Sequence, residues 1–353
     1  MTDSEVLPHL RERLPDFAPA GAPVRLPGGN LNVVWRVPGE DEALIVKHAP
    51  PHIAADPSVP LDPSRILIEA RCLNALDPDG ALADVCTAAV RAPRLRDVDE
   101  EAFVVVMEDL GDRPSLGTWL RRQDRETLRA AAPRLGERLG AFIGRLHAAT
   151  HDRPAYATVF DNRPMQETRQ AVQYRAVADM LARGGVPDAE VLGDRAEALG
   201  EALLAPGRCL TMGDLWPSSV LVAGTELRLI DWELAHYGRP LQDAAHWAAH
   251  LWMHRHRAPS PAVADAAAAL GASFWAAYRA ALGEAGDALW TDAEHRDAAV
   301  HVGAEILVRA VGPFQDGSLY AGLDADAPAV QEAVAAAARH IRAPEEQALF
   351  DTE

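Results

Sequence analysis

The apolar pattern predicts an α+β chain, with a small antiparallel β-sheet lobe over residues 1–110 and a large helical lobe over 111–353. Three observations carry this. Short β-type runs bounded by turn residues crowd the first 110 residues. From about residue 115 onward, apolar side chains recur every three or four positions. A single β-like island at 220–230 interrupts that helical stretch.

In the first lobe the runs are Val33-Val34-Trp35-Arg36-Val37, Ala43-Leu44-Ile45-Val46 and Phe103-Val104-Val105-Val106-Met107. Pro38-Gly39-Glu40-Asp41 between the first two supplies the turn residues of a hairpin. The Pro- and Asp-rich stretch 49–63 is too broken for a helix, and helical spacing resumes over 64–75. A polar hinge follows the third run at about 107–112. Beyond it, helices are predicted over 116–122, 130–150, 165–183, 189–204 and from 243 to 342, and the acidic tail 343–353 reads as loose. The island, Val220-Leu221-Val222 and Leu227-Arg228-Leu229-Ile230 about Ala223-Gly224-Thr225, reads as two strands and a tight turn.

Composition narrows the function. A net charge of -18 opposes nucleic-acid binding, because phosphate repulsion works against it, and would tolerate a cationic small molecule. Three cysteines, Cys72, Cys86 and Cys209, with no C-x-x-C pair, argue against a disulfide framework or a zinc ribbon. Acid stands at the N-terminus where a signal peptide carries base, and no apolar run reaches spanning length, so a cytoplasmic protein without membrane contact is expected.

The chemistry concentrates in Gly213-Asp214-Leu215-Trp216-Pro217-Ser218-Ser219 and in Ile230-Asp231-Trp232-Glu233. One carboxylate lies just before one strand and a second just after the next, which brings both to the open end of a hairpin. Phosphoryl transfer needs this: a carboxylate to take the proton of an acceptor hydroxyl, and oxygen ligands for the magnesium that bridges the phosphates. Asp214 is the expected catalytic base, and Asp231, Ser219 and Glu233 the expected metal ligands. In the small lobe Gly28, Gly29, Asn30 and Asn32 sit at a predicted hairpin tip where backbone amides could approach a triphosphate. Lys47 on the next strand and Glu69 on the following helix form the expected phosphate-positioning pair. Met107, Glu108 and Leu110 could offer backbone groups to adenine. His246, His250 and His254 fall on one helical stripe with His256 nearby, but no H-E-x-x-H pattern is completed, so packing is expected of them and of Trp247 and Trp252.

These motifs resemble the aminoglycoside phosphotransferase and choline kinase superfamily, and within it the methylthioribose kinases. The resemblance rests on Gly29-Asn30-Leu31-Asn32, Val46-Lys47-His48-Ala49-Pro50-Pro51, Pro60-Leu61 with Ile68-Glu69-Ala70, Met107-Glu108-Asp109-Leu110, Gly213-Asp214-Leu215 through Ser219, Asp231-Trp232-Glu233, Tyr237-Gly238-Arg239-Pro240 with Asp243, and Gly303 to Gly312. It implies a two-lobed protein-kinase-like fold, ATP and Mg2+ as cofactors, and a small-molecule hydroxyl acceptor touched by Trp216, Glu233 and Arg309. It also leaves room for a homodimer. Met212 stands where the family has histidine, Val59 where methylthioribose kinases have tryptophan, and Val308 where they have the first of two arginines at the sugar. Losing that arginine would open the site to a bulkier, amine-bearing acceptor. Three readings stay open: a kinase of ribose-like sugars, an antibiotic phosphotransferase acting on an aminoglycoside or aminoribosyl nucleoside, and a nucleotide-binding pseudokinase.

Overall fold

The computed structural model describes residues 1–27 and 31–350. The small lobe is built on a five-stranded antiparallel sheet, in spatial order Val24–Arg25, Val33–Val37, Leu44–His48, Val104–Glu108 and Leu95–Asp99. The expected hairpin forms, with Val33 opposite His48 and Val37 opposite Leu44. Period-two alternation along Val104–Glu108 sends Val104 and Val106 into a small core with Val6, Leu10, Trp35, Val37, Leu44 and Val46. Val105 and Met107 point the other way, into a second core that also takes Ile66, Ile68, Leu73 and the helices of the large lobe.

Helix Arg65–Leu76 packs under the sheet near its predicted bounds. Two small-lobe elements differ from expectation. Helix Asp3–Arg13 covers the sheet through Val6 and Leu10, pinned where Trp35 Nε1 donates to Asp3 Oδ1 at 2.7 Å. Within 49–63 a short hairpin pairs His52–Ile53 with Asp56–Pro60.

In the large lobe, helix Arg125–Thr150 lies along helix Pro261–Leu282 with almost no spacer between the backbones. A Cβ on Gly136, Gly140 or Gly144 would fall 2.2, 2.1 or 2.6 Å from the carbonyls of Leu270, Phe274 and Tyr278. The predicted helix 165–183 is broken into Arg163–Arg169, a π-turn at Gln170–Tyr174 and Val177–Arg183. The island forms as predicted, Val220–Ala223 against Glu226–Leu229, and its second strand pairs in parallel with Val90–Arg91. The tail is not loose as far as residue 350, because Phe350 packs against Trp275 and Phe274 at centroid distances of 5.4 and 5.7 Å. Among the described residues no helix is long and apolar enough to cross a membrane.

Candidate active site

The loop 212–219 leaves strand Cys209–Thr211 and enters the hairpin at Val220. Its first turn is tied to helix Leu241–His256, where the Asp243 carboxylate accepts from the amides of Met212 and Gly213 at 2.9 and 2.8 Å. His147 Nε2 lies 3.0 Å from the same carboxylate. Gly213 has φ +79°, and a Cβ there would meet the Leu234 carbonyl at 2.2 Å, so only glycine fits. Met212 is fully buried and contributes its backbone amide to this tie. The Ser219 hydroxyl holds the loop closed: it accepts from the Trp216 amide at 3.2 Å and lies 2.9 and 3.1 Å from the carbonyls of Trp216 and Asp214. Across the hairpin Asp231 has φ 64°, a left-handed conformation that costs a non-glycine residue energy and is typical of functional positions. That turn leaves its side chain 47% exposed in the cleft.

Lys47 crosses from the small lobe to meet it. Its Nζ lies 2.7 Å from Glu69, 2.9 Å from Asp231 and 3.7 Å from Glu233. Burial alone would strip the Lys47 proton, but Asp231, Glu69 and Glu233 outweigh it and hold the ammonium well above its ordinary range. Burial pushes Glu69 up to about 7 against the pull of Lys47, with Asp231 and Glu233 adding to the rise.

Glu233 and Asn32 are placed differently from expectation. The Glu233 oxygens are taken by Asn32 Nδ2 at 2.8 Å and Arg65 Nε at 3.0 Å. Arg65 also donates to Asn32 Oδ1 at 3.0 Å and to the Leu31 carbonyl at 2.8 Å. Asn32, Arg65 and Glu233 thus clasp the two lobes, each Glu233 oxygen accepting one hydrogen bond. The cluster sets three carboxylates, Glu69, Asp231 and Glu233, against two cations, Lys47 and Arg65. Asp231 is the one of these three carboxylates that is open to the cleft.

Asp214 is held from two sides. Arg169 NH2 lies 3.0 Å and His246 Nε2 3.2 Å from its Oδ1, and Arg169 also donates to the Gly213 carbonyl. Burial would raise the Asp214 carboxyl, but the His246 hydrogen bond and charge, with Arg169 and Arg309, bring it down to about 2. The carboxylate is ionised at any working pH.

On the far side of the loop the half-buried Trp216 ring meets His250 at 5.3 Å and the Arg309 guanidinium at 4.7 Å. Arg309 is held through Nε, which donates to Glu305 Oε1 at 2.7 Å, and its other flank lies 5.4 Å from the Phe314 ring. A cavity of about 200 Å³ opens here, lined among others by Thr118, Arg121, Trp216, Met253, Arg309 and Leu319. Among the described residues no carboxylate lines it, so the acidic balance of the chain does not extend to the described wall of this cavity. Val308 is not part of it either. That side chain is buried in the main core, so its difference from arginine opens no space beside Arg309.

His246, His250 and Glu305 bring ligand-type atoms within 4.8 Å of one another. The Arg309 guanidinium already neutralises Glu305, and burial pushes His250 down to about 3 despite Glu305, so it donates as a neutral ring. Sequence reasoning missed Arg65, Arg169 and His246. Arginines on helix faces carry no motif, and the histidine stripe hid which member reaches the loop. Of the expected nucleotide contacts, Gly28, Gly29 and Asn30 lie outside the described residues. Met107 and Glu108 end strand Val104–Glu108, where Glu108 pairs with Arg91 at 2.6 Å, and the Leu110 carbonyl accepts from Arg113 Nε at 2.9 Å.

A model of the phosphotransferase enzyme family (APH) matches residues 23–291, most of the chain and all of the site up to Asp243 and His250. The chain belongs to this family. This phosphotransferase is 28% identical over 262 residues to a 4-hydroxytryptamine kinase of Psilocybe cyanescens, covering 70% of this chain and 72% of that one. It is 27% identical over 234 residues to a methylthioribose kinase of Citrobacter koseri, covering 60% and 54%. In fold it is similar to the gentamicin–APH(2")-IIa complex, at a TM-score of 0.51 and 12% identity over 96% of this chain and 97% of that one. A choline/ethanolamine kinase family protein of Mesorhizobium loti gives 0.50 and 14% over 98% and 100%. The chain is a small-molecule kinase with a small antiparallel sheet and a large helical portion.

Proposed function

We propose that this kinase moves the γ-phosphate of ATP onto a hydroxyl of a small neutral acceptor, a ribose-like sugar carrying an apolar substituent, seated between Asp214 and the Trp216–Arg309 wall. The observation that supports the acceptor reading is the lining of that cavity. Along that wall the described lining residues bring two guanidiniums, Arg121 and Arg309, and no carboxylate, which disfavours a polycationic aminoglycoside there, while the Trp216 face, Met253 and Leu319 suit an apolar substituent. Sugar hydroxyls would find the fixed Arg309 fork.

In this reading residues 1–110 hold the nucleotide and 111–353 the catalytic loop and acceptor. Asp214 accepts the hydroxyl proton as the acceptor oxygen bonds to the γ-phosphorus. The bond from that phosphorus to the β–γ bridging oxygen breaks, and ADP leaves with the electron pair. Asp231, open to the cleft, has the donor type and exposure that a magnesium ion needs. Magnesium held there would supply positive charge against the phosphates. Lys47, positioned by Glu69, would supply an ammonium to the same phosphates. Lys47→Ala is therefore expected to raise the KM for ATP and lower kcat together, because the nucleotide is both weakly held and misplaced. An unchanged KM for ATP removes Lys47 from the site.

The acceptor is tested by kcat/KM on methylthioribose, 4-hydroxytryptamine and an aminoglycoside side by side, repeated in Arg309→Ala. The neutral sugar is expected to be turned over best. Arg309→Ala should cost it one to two decades, about 1–3 kcal/mol for a lost polar contact, with KM for ATP unchanged. Turnover confined to the aminoglycoside supports the antibiotic reading instead, and preference for the indole makes the Trp216 face the dominant feature.

A further inference from the structure

Behind the catalytic loop, polar groups with no expected role form a continuous buried line. Tyr174 Oη lies 2.6 Å from His301 Nδ1, His301 Nε2 lies 3.3 Å from His246 Nδ1, and His246 Nε2 lies 3.2 Å from Asp214 Oδ1. Both histidines are fully buried, and Tyr174 is 2% exposed. We propose that His246 is a positioning residue for phosphoryl transfer, its tautomer set by His301 and Tyr174 so that it always presents an N–H to Asp214 Oδ1 and leaves Oδ2 to the acceptor hydroxyl. The proposal rests on Asp214 being the base.

The hydrogen-bond inventory of the line settles its direction. An ionised carboxylate only accepts, so the nitrogen facing it must carry the proton. With a single proton on the ring, His246 Nδ1 keeps a lone pair that accepts from His301 Nε2–H at 3.3 Å. His301 Nδ1 in turn accepts, and the Tyr174 hydroxyl is a donor that needs such a partner. Every proton in the line points toward Asp214, and His246 Nε2, which has no other partner among the described residues, faces its Oδ1 at 3.2 Å. Burial keeps His301 well below its ordinary range and pushes the Tyr174 hydroxyl well above its own, so neither ionises and the direction is kept.

The charged neighbours leave this arrangement intact. Glu305 Oε2 stands 3.6 Å from His246 Nδ1, too far to displace His301, and its charge is spent on Arg309 and His250. Arg169 takes the same Asp214 oxygen from the other side. The two grips do different work: the arginine supplies a second charged contact, and the histidine, fixed from behind by His301, supplies direction. The π-turn at Gln170–Tyr174 places both groups, because its wider winding lets Arg169 face the loop while Tyr174, at its end, faces His301.

The test compares His246→Leu, His246→Gln, Tyr174→Phe and Asp214→Asn by steady-state kinetics and thermal melting. His246→Leu is expected to lower kcat by about 10²-fold with KM for ATP unchanged, the size of a misplaced reacting group. His246→Gln, which keeps an N–H donor, should recover at least about tenfold of that loss. Tyr174→Phe should lose about 2–10-fold in kcat, one hydrogen bond's worth. A His246→Leu enzyme within about threefold of wild-type kcat overturns the proposal. So does an equal loss in Leu and Gln that tracks a falling Tm. If His246→Leu does not fold, Tyr174→Phe decides, and an unchanged kcat overturns the proposal. An inactive Asp214→Asn beside an unimpaired His246→Leu removes the positioning role alone, whereas an active Asp214→Asn removes the base reading beneath it.

Discussion

Asp214→Asn is expected to lower kcat by about 10²–10⁴-fold while leaving nucleotide affinity nearly intact. The size follows from what is lost. Asparagine keeps the shape and can still face Arg169 and His246, but it cannot take the hydroxyl proton. Roughly 3–5 kcal/mol of transition-state stabilisation disappears, and only positioning and the electrostatics around the phosphates remain. Because His246, Arg169 and Arg309 hold the carboxyl at about 2, no fall in wild-type activity between pH 8 and pH 4 should trace to protonation of this group. The sign is that of any depressed carboxylate: its ionised form is fully present above the unfolded value near 4 and is lost only as pH falls through about 2. Turnover in Asp214→Asn within a few-fold of wild type would show that Asp214 is not the base.

The second large effect is at Asp231. Asp231→Ala is expected to abolish turnover at every magnesium concentration, and to remove the magnesium dependence of nucleotide binding measured by titration calorimetry. Of the three carboxylates around Lys47, only this one reaches the cleft. Glu69 is buried against the lysine, and Glu233 is held by Asn32 and Arg65. No neighbour can substitute without breaking the clasp between the lobes. Ser219→Ala should be milder, and its effect should come through the loop, because the hydroxyl spans Asp214 and Trp216. Full activity in an EDTA-treated wild-type sample would sink the metal assignment.

What was legible in the sequence was whatever is set by local chemistry. Strand alternation gave the central sheet, glycine and proline gave its turns, and the two Asp residues flanking a hairpin gave the reacting end. Lys47 and Glu69 could be paired because strand and helix follow one another in the chain. The rest depends on contacts that no short window contains. Helix Asp3–Arg13 buries only Val6 and Leu10 and carries Pro8, so its apolar signal is thin. Strand Asp56–Pro60 is exposed throughout and holds two prolines, against every strand preference. Arg65 and Glu233 are 168 residues apart, and their pairing is visible only once the lobes meet. Reading Val308 as part of the acceptor wall failed for a related reason. Adjacent helical residues point about 100° apart, so Arg309 can face the cavity while Val308 enters the core.

The strand Val104–Glu108 also has a mechanical meaning. Its alternate side chains belong to two different cores, so it is a beam shared by both lobes and not the edge of one. Displacing the small lobe from the large one would have to strip Val105 and Met107 from the second core. The parallel pairing of Val90–Arg91 with Leu227–Arg228 ties the same two parts of the chain together through backbone hydrogen bonds.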